Sequence, residues 1–259
     1  MLKLLRYCHA QNLPLIVHSE DAGLMGDAVA TSGETATRLG LMSAPASVEA
    51  MAIARDLMLV KESGARVHFR QVTTKQGLDL IRRGKEEGLP ITCGITPAHL
   101  FLSEIAISGF RTFAKLSPPL RSEDDRQACL EAVKDGTIDV ISSGHDPRGP
   151  EDKRLPFAEA KSGMAGAETL LALSLNLVRD NLISLERLFE LIASTPAKLL
   201  GVNAGQIKQG YEADLIVVDP DAPWQVDTRQ MAAATGNSPF HGLPVQGRVT
   251  AIYKGGKAL

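Results

Sequence analysis

Side chains able to do chemistry gather in this chain at the ends of short apolar runs. His18-Ser19-Glu20-Asp21 follows Leu13 to Val17, Gln71 closes the run from Arg66 to Val72, and His145, Asp146 and Arg148 follow Ile138 to Ile141. An imidazole such as His18 can hold a metal ion, or it can be a strand-end histidine kept by ordinary hydrogen bonds. A carboxylate such as Asp146 can carry a proton. A guanidinium such as Arg148 can grip a carboxylate with two parallel hydrogen bonds, or be solvated on a loop. Arg121 offers the same grip to an anion, or a salt bridge to Glu123 or Asp124 on the adjoining helix. His68 stands three residues before Gln71, so it projects from the opposite face of one strand and reads as a core or helix-facing histidine. His241 reads as a surface residue in the tail. Cys8, Cys93 and Cys129 are too widely spaced for a disulfide framework or a thiolate zinc clip, and fit a reducing cytoplasm. The sequence shows no Ser/His/Asp relay, phosphate-cradling glycine loop or dinucleotide fingerprint; Gly163-Met164-Ala165-Gly166 is too short and follows no strand.

Apolar runs and stretches of helical period alternate, the pattern of parallel strands joined by helices. Leu13 to Val17 reads as a first strand, preceded by an amphipathic helical segment from Met1 to Gln11. Ser47 reads as the cap of a helix with apolar residues at Val48, Met51, Ala54, Leu57 and Val60, stopped near Gly64. Arg66 to Val72 is a second strand, Lys75 to Glu87 a helix closed by Gly88, and Pro90 to Ile95 a third strand. Ser122 with Asp125 forms a capping-box pattern before a helix that stops at Gly136, and Ile138 to Ile141 is a fourth strand. The segment from Ser142 to about Gly166, rich in glycine and proline, leaves the C-terminal end of that strand; it reads as an active-site or former active-site loop, with plain disorder as the alternative. Helices from Ala167 to Arg179 and Ser184 to Ala193 follow, and Ala213 to Asp219 and Gly247 to Tyr253 are β-rich.

The bulk properties set limits. With 259 residues and 44% hydrophobic content the chain can bury one large core. Its 28 basic and 30 acidic residues leave a net charge of −2 without a block of like charges, which argues against nucleic acid or an anionic membrane surface as partner. The apolar runs fall far short of the roughly 20 residues needed to cross a bilayer.

In order and spacing, several strings resemble bacterial dihydroorotases of the amidohydrolase superfamily. His18-Ser19-Glu20-Asp21 resembles that family's H-C-E-D, and Arg38-Leu39-Gly40-Leu41 through Arg55-Asp56-Leu57 its following helix pair. Gln71-Val72-Thr73-Thr74 sits where the family has H-V-S-T, and Thr96-Pro97-Ala98-His99-Leu100 where it has T-P-H-H-L. Lys115-Leu116-Ser117-Pro118-Pro119-Leu120-Arg121 resembles K-V-N-P-P-L-R, Gly144-His145-Asp146-Pro147-Arg148 falls on D-H-A-P-H, and Gly166-Ala167-Glu168-Thr169 resembles G-L-E-T. Thr195-Pro196-Ala197-Lys198, Ala213-Asp214-Leu215 and Asn237-Ser238-Pro239-Phe240 resemble the closing segment, so the likeness covers essentially the whole chain.

The resemblance implies an α/β fold: the C-terminal half of a (β/α)8 TIM-like barrel over residues 1–200, and part of a small β-sandwich over 201–259. The family's first half, with its His-x-His motif and metal-bridging lysine or aspartate, has no counterpart here, and Met1 falls in a helix-like segment, so the expectation is a truncated or split chain. Such a half-barrel is expected to expose two strand edges and an apolar inner face, and so to self-associate or need the missing N-terminal half. Dihydroorotases use zinc to polarise a carbonyl and activate water, and an aspartate to move the proton. His18 falls on a metal-ligand position of the family; Gln71 falls on another, where a neutral amide cannot replace an imidazole. Gly144 falls on the catalytic aspartate, and Asp146, two residues on, is the candidate to replace it. Ser117, His145 and Arg148 fall on substrate-binding positions. Backbone-shaping motifs thus outlast the ligands, which points to a non-catalytic dihydroorotase-like protein of pyrimidine biosynthesis, without zinc, serving as an assembly partner of aspartate carbamoyltransferase as inactive relatives do. The alternative is an active, zinc-dependent cyclic amidohydrolase whose missing ligands lie in an N-terminal half, with Asp146 as proton carrier.

Overall fold

The computed structural model describes residues 1–259. Helix α1 (Leu2–Ala10) turns Leu5 and Cys8 inward and leads into β1 (Leu15–Val17). Asp21 then caps the short α2 (Ala22–Met25) by accepting the Gly23 and Leu24 amides. The next segment holds a parallel pair that periodicity does not reveal, β2 (Ala30–Thr31) and β3 (Ser43–Ala44), on either side of α3 (Glu34–Leu39). Strands of two residues are too short to show a period.

Helix α4 (Ser47–Ser63) includes Ser47 as its first residue; the cap position is Ala46, with no side-chain bond, which corrects the reading of Ser47 as cap. Gly64 ends it at φ 66°, a left-handed stop suited to glycine. Strand β4 (Val67–Phe69), helix α5 (Lys75–Glu86), strand β5 (Ile91–Ile95), the one-turn α6 (Pro97–Phe101), helix α7 (Glu123–Lys134) and strand β6 (Val140–Ile141) follow. Beyond β4 the chain leaves regular geometry, yet the Arg70 and Val72 amides still donate to the carbonyls of Val17 and Gly94. The Ser122 hydroxyl accepts the Asp125 amide at the start of α7. After α8 (Pro150–Lys153) come α9 (Leu170–Arg179), α10 (Leu185–Phe189), a π turn over Glu190–Ser194 and α11 (Thr195–Leu200). Strands β7 (Leu215–Gln225), β8 (Pro244–Lys254) and β9 (Lys257–Ala258) form a separate antiparallel sheet.

Four strands make one parallel sheet in the order β1-β4-β5-β6. Alternation sends Val17, Phe69, Cys93, Ile95 and Ile141 to one face, where they join Ile53, Leu78, Ile81 and Val133 in a continuous core. Each large side chain buried there contributes on the order of 1.5–3 kcal/mol. The other face carries Ile16, His68 and Thr92 in register. Ile16 is 47% exposed, whereas His68 is buried and its Nδ1 lies 2.8 Å from the Thr92 hydroxyl. By the same alternation Gly94 and Val140 lie on this face, so the expected apolar inner face is mixed, apolar at Ile16 and Val140 and polar at His68 and Thr92. A chain of parallel strands is normally apolar on both faces, and that expectation fails where this sheet turns polar residues inward.

A second core joins Phe157 and Met164 of the segment 142–166 to Leu116, Leu173 and Phe240. That segment is tied down by both flanks. The Lys115 ammonium donates to the carbonyls of Phe157 and Ala158, and that of Lys153 to the carbonyl of Thr112. Asn237 accepts the Arg148 amide at 2.9 Å, donates to the Gly163 carbonyl at 3.0 Å, and takes the Ala165 amide on its own carbonyl at 2.9 Å. No helix is long and apolar enough to cross a membrane.

Candidate functional site

The chain segments leaving β4, β5 and β6 at their C-terminal ends enclose a cavity of about 430 Å3, lined among others by Arg70, Gln71, Thr96, His99, Ser117, Ser142, Gly144, His145 and Asp146. Parallel strands place site residues at this end because each strand's exit loop is free to vary while the sheet stays rigid.

His18 stands at the edge of this region with both ring nitrogens engaged. Its Nε2 lies 2.6 Å from Glu20 Oε2, and its Nδ1 lies 3.5 Å from Arg70 Nη2. A guanidinium only donates, so Nδ1 is the acceptor and Nε2 carries the proton towards Glu20. The Ser117 hydroxyl donates to the same Glu20 oxygen at 2.9 Å and lies 3.3 Å from His18 Nε2. Serine, histidine and carboxylate therefore meet, but not as a nucleophilic relay: the acid sits on the nitrogen that faces the serine, and that nitrogen is protonated. Burial works to raise the Glu20 pKa, yet the hydrogen bond and charge of His18, the Ser117 hydroxyl and the charge of Arg121 outweigh it and hold the carboxyl below its ordinary value. The second oxygen of Glu20 is buried without a hydrogen-bond partner.

Gln71 is buried, and its Oε1 lies 3.3 Å from Arg70 Nη2. Gly144 has φ +62°, and a Cβ built there would stand 3.0 Å from Thr96 Cγ2. His99 is buried between the Thr96 hydroxyl, 2.7 Å from Nδ1, and the Pro118 carbonyl, 3.0 Å from Nε2; burial pushes its pKa down to about 4. His145 accepts the Gly166 and Ala167 amides on Nδ1, both at 3.2 Å, which leaves Nε2 as its donor.

Two side chains considered for chemistry are committed to each other. Asp146 Oδ2 lies 2.7 Å from Arg148 Nη2, while Arg148 Nε donates to the Ser162 carbonyl at 2.9 Å. Asp146 lines the cavity and Arg148 does not; Arg148 ties Asp146 to the Ser162 carbonyl. The reading of Arg121 is corrected. It is buried and reaches Thr73, Thr31 and, at 3.4 Å, Glu49, rather than Glu123 or Asp124, because the turn before α7 points it into the interior. Glu123 pairs with Arg126 instead.

The fit to zinc can be judged from the donors. No three His, Cys, Asp or Glu side chains converge anywhere in the chain, and zinc needs at least three such ligands. At the three strand ends stand an imidazole bonded to Glu20, an amide and a glycine. The residues of this chain do not make a zinc site. What they do make is a polar cavity with one guanidinium, hydroxyls and an imidazole donor. Sequence reasoning missed Glu20 as the partner of His18 and Arg70 as the neighbour of both His18 and Gln71. The pairing of His18 with Glu20, two residues apart, was the one available signal.

The profile of the amidohydrolase family matches residues 1–259. The dihydroorotase of Geobacter metallireducens is 40% identical over 259 residues, covering 100% of this chain and 61% of the relative. That of Anaeromyxobacter dehalogenans (strain 2CP-C) is 39% identical, with 99% of this chain and 60% of the relative covered. The chain thus spans about 60% of the length of these relatives. Among solved structures, the L-hydantoinase (dihydropyrimidinase) from Arthrobacter aurescens superposes with a TM-score of 0.90 at 29% identity, over 99% of this chain and 59% of that one.

Proposed function

The chain belongs to the amidohydrolase family as a dihydroorotase-like member, and from that premise we propose that it is a non-catalytic homologue with a structural role in pyrimidine biosynthesis. The observation that carries the reading is the state of the strand ends: His18 is bonded to Glu20 at 2.6 Å, Gln71 offers an amide, and Gly144 offers no side chain. Neither a metal-activated water nor a carboxylate proton carrier can be assembled from these groups. In this reading the sheet β1-β4-β5-β6 corresponds to four consecutive strands of a (β/α)8 barrel over residues 1–200, and residues 201–259 to part of a flanking β-sandwich. The proposed role is assembly with aspartate carbamoyltransferase.

The identity to dihydroorotases favours one rival, an active cyclic amidohydrolase completed by ligands from outside these residues, with Asp146 as proton carrier. That carrier would first have to leave Arg148. The test is an assay of the intact natural protein with dihydroorotate and carbamoyl-aspartate, with zinc supplied. The expected outcome is no turnover and co-purification with aspartate carbamoyltransferase. Turnover at enzymatic rates overturns the non-catalytic reading; failure to co-purify removes the assembly role.

A further inference from the structure

Arg70 is the one charged group of the cavity that has no counter-ion. Of the other charged or titratable lining groups, Asp146 is paired with Arg148, and His99 is buried with both nitrogens bonded. His145 has its Nδ1 taken by two amides. Arg70 itself is exposed and forms no ion pair; its contacts are Nη2 to His18 Nδ1 at 3.5 Å and to Gln71 Oε1 at 3.3 Å. Both distances lie at or beyond the outer edge of hydrogen-bonding range, so these contacts orient the guanidinium more than they satisfy it. Its Nε and Nη1 have no acceptor among the protein's groups. Glu20, whose charge would oppose an anion, is mostly buried behind Ser117 and does not line the cavity.

We propose that this cavity binds a small oxyanion without any metal, with Arg70 as its fixed cation. The guanidinium lies between His18 and Gln71, the two positions where the family resemblance puts metal ligands, and it supplies positive charge from within the chain. An arginine fork presents two parallel N–H donors, matching the two oxygens of a carboxylate or phosphate. Ser142 and His145 also line the cavity, and a hydroxyl and an imidazole N–H are further donors for an anion. The volume, about 430 Å3, is that of a small-molecule pocket. The inference shares with the non-catalytic reading only the absence of a zinc site.

Calorimetric titration of the intact protein with malonate and, separately, with inorganic phosphate, both in the presence of EDTA, tests it. Saturable binding of at least one anion is expected; which one binds identifies the oxyanion class. Arg70→Met should weaken binding about tenfold or more, and Arg70→Lys by less, since a point charge keeps attraction but loses the fork. Because Arg70 is exposed, both variants should melt as the parent does, and a Ser142→Ala variant, expected to lose a smaller factor, keeps the test open if Arg70→Met does not fold. Absence of binding by either anion, binding that appears only on adding zinc, or an unchanged affinity in a folded Arg70→Met overturns the proposal. Turnover of dihydroorotate by a protein that binds the anion in EDTA would overturn the non-catalytic reading and leave this one standing.

Discussion

At the scale of single residues, Gly144 decides more than its size suggests. Its φ of +62° lies in the left-handed region, which costs a residue with a Cβ roughly 1–2 kcal/mol, and the built Cβ crowds Thr96. Gly144→Asp should therefore lower stability by about that amount, read as a shift in urea midpoint. It should restore no dihydroorotase activity, since groups that act together fail to rescue singly. A stable, active variant would sink the idea. The buried histidines give a second expectation. Burial pushes the pKa of His68 and of His99 down from 6.5 to about 4. The folded state then binds fewer protons than the unfolded chain between those values, so their contribution is intact above about pH 6.5 and is lost as the pH falls towards 4. Each costs about 1.4 kcal/mol per pH unit inside that window. Denaturant melts at pH 7 and pH 5.5 should show the loss, and His99→Gln should remove part of it; equal stability at the two pH values would contradict it. His18, Ser117 and His145 were legible because they stand in recognisable strings. Arg70 was not, because an arginine at a strand end looks like any solvated cation until its neighbours across the sheet are known.

At the scale of elements, one buried carboxylate joins α4 to the start of α5. Glu49 accepts the Thr73 and Thr74 amides at 2.9 Å, the Thr74 hydroxyl at 2.8 Å and Arg121 at 3.4 Å. Glu49→Ala would leave the buried Arg121 guanidinium without its carboxylate and two amides unpaired, and should cost about 3–5 kcal/mol. A urea midpoint within experimental error of the parent would refute this. Helices α4, α5 and α7 were legible from sequence because their stops, Gly64, Gly88 and Gly136, have positive φ, whereas the helix read over Ser184 to Ala193 is α10 followed by a π turn. The parallel strands were read too long and the two tail strands too short, β7 and β8 running over Leu215–Gln225 and Pro244–Lys254; after β4 the ladder breaks where the chain swings out to build the cavity, and alternation of side chains does not reveal that point. The buried Glu49 was illegible, since a charge within a helical stretch reads as a solvated face.

At the scale of the molecule, the parallel sheet ends at β1 on one side and at β6 on the other. Both rims carry unpaired backbone groups, and such rims recruit other strands. We expect the 259-residue chain to form dimers or larger species in sedimentation at micromolar concentration; a clean monomer with a cooperative melt would refute it. The polar residues His68 and Thr92 interrupt the face that carries Ile16 and Val140, so we expect this association to rest more on backbone pairing than on a broad apolar surface. That difference was not visible in the sequence, which gives the period of a strand but not which face meets the helices.

The three-way grip of Asn237 on Arg148, Gly163 and Ala165 also orders events in time. A chain emerges from the ribosome N-terminus first, so α4, α5 and the parallel sheet can pack while the tail is still being made. The wall of the cavity built by 142–166 can be held early by Lys115, but its other fastener lies some seventy positions downstream of Gly163. We expect that wall to be complete only after Asn237 has left the exit tunnel, and a nascent chain arrested before that residue to expose its 142–166 segment to protease more than the finished chain does.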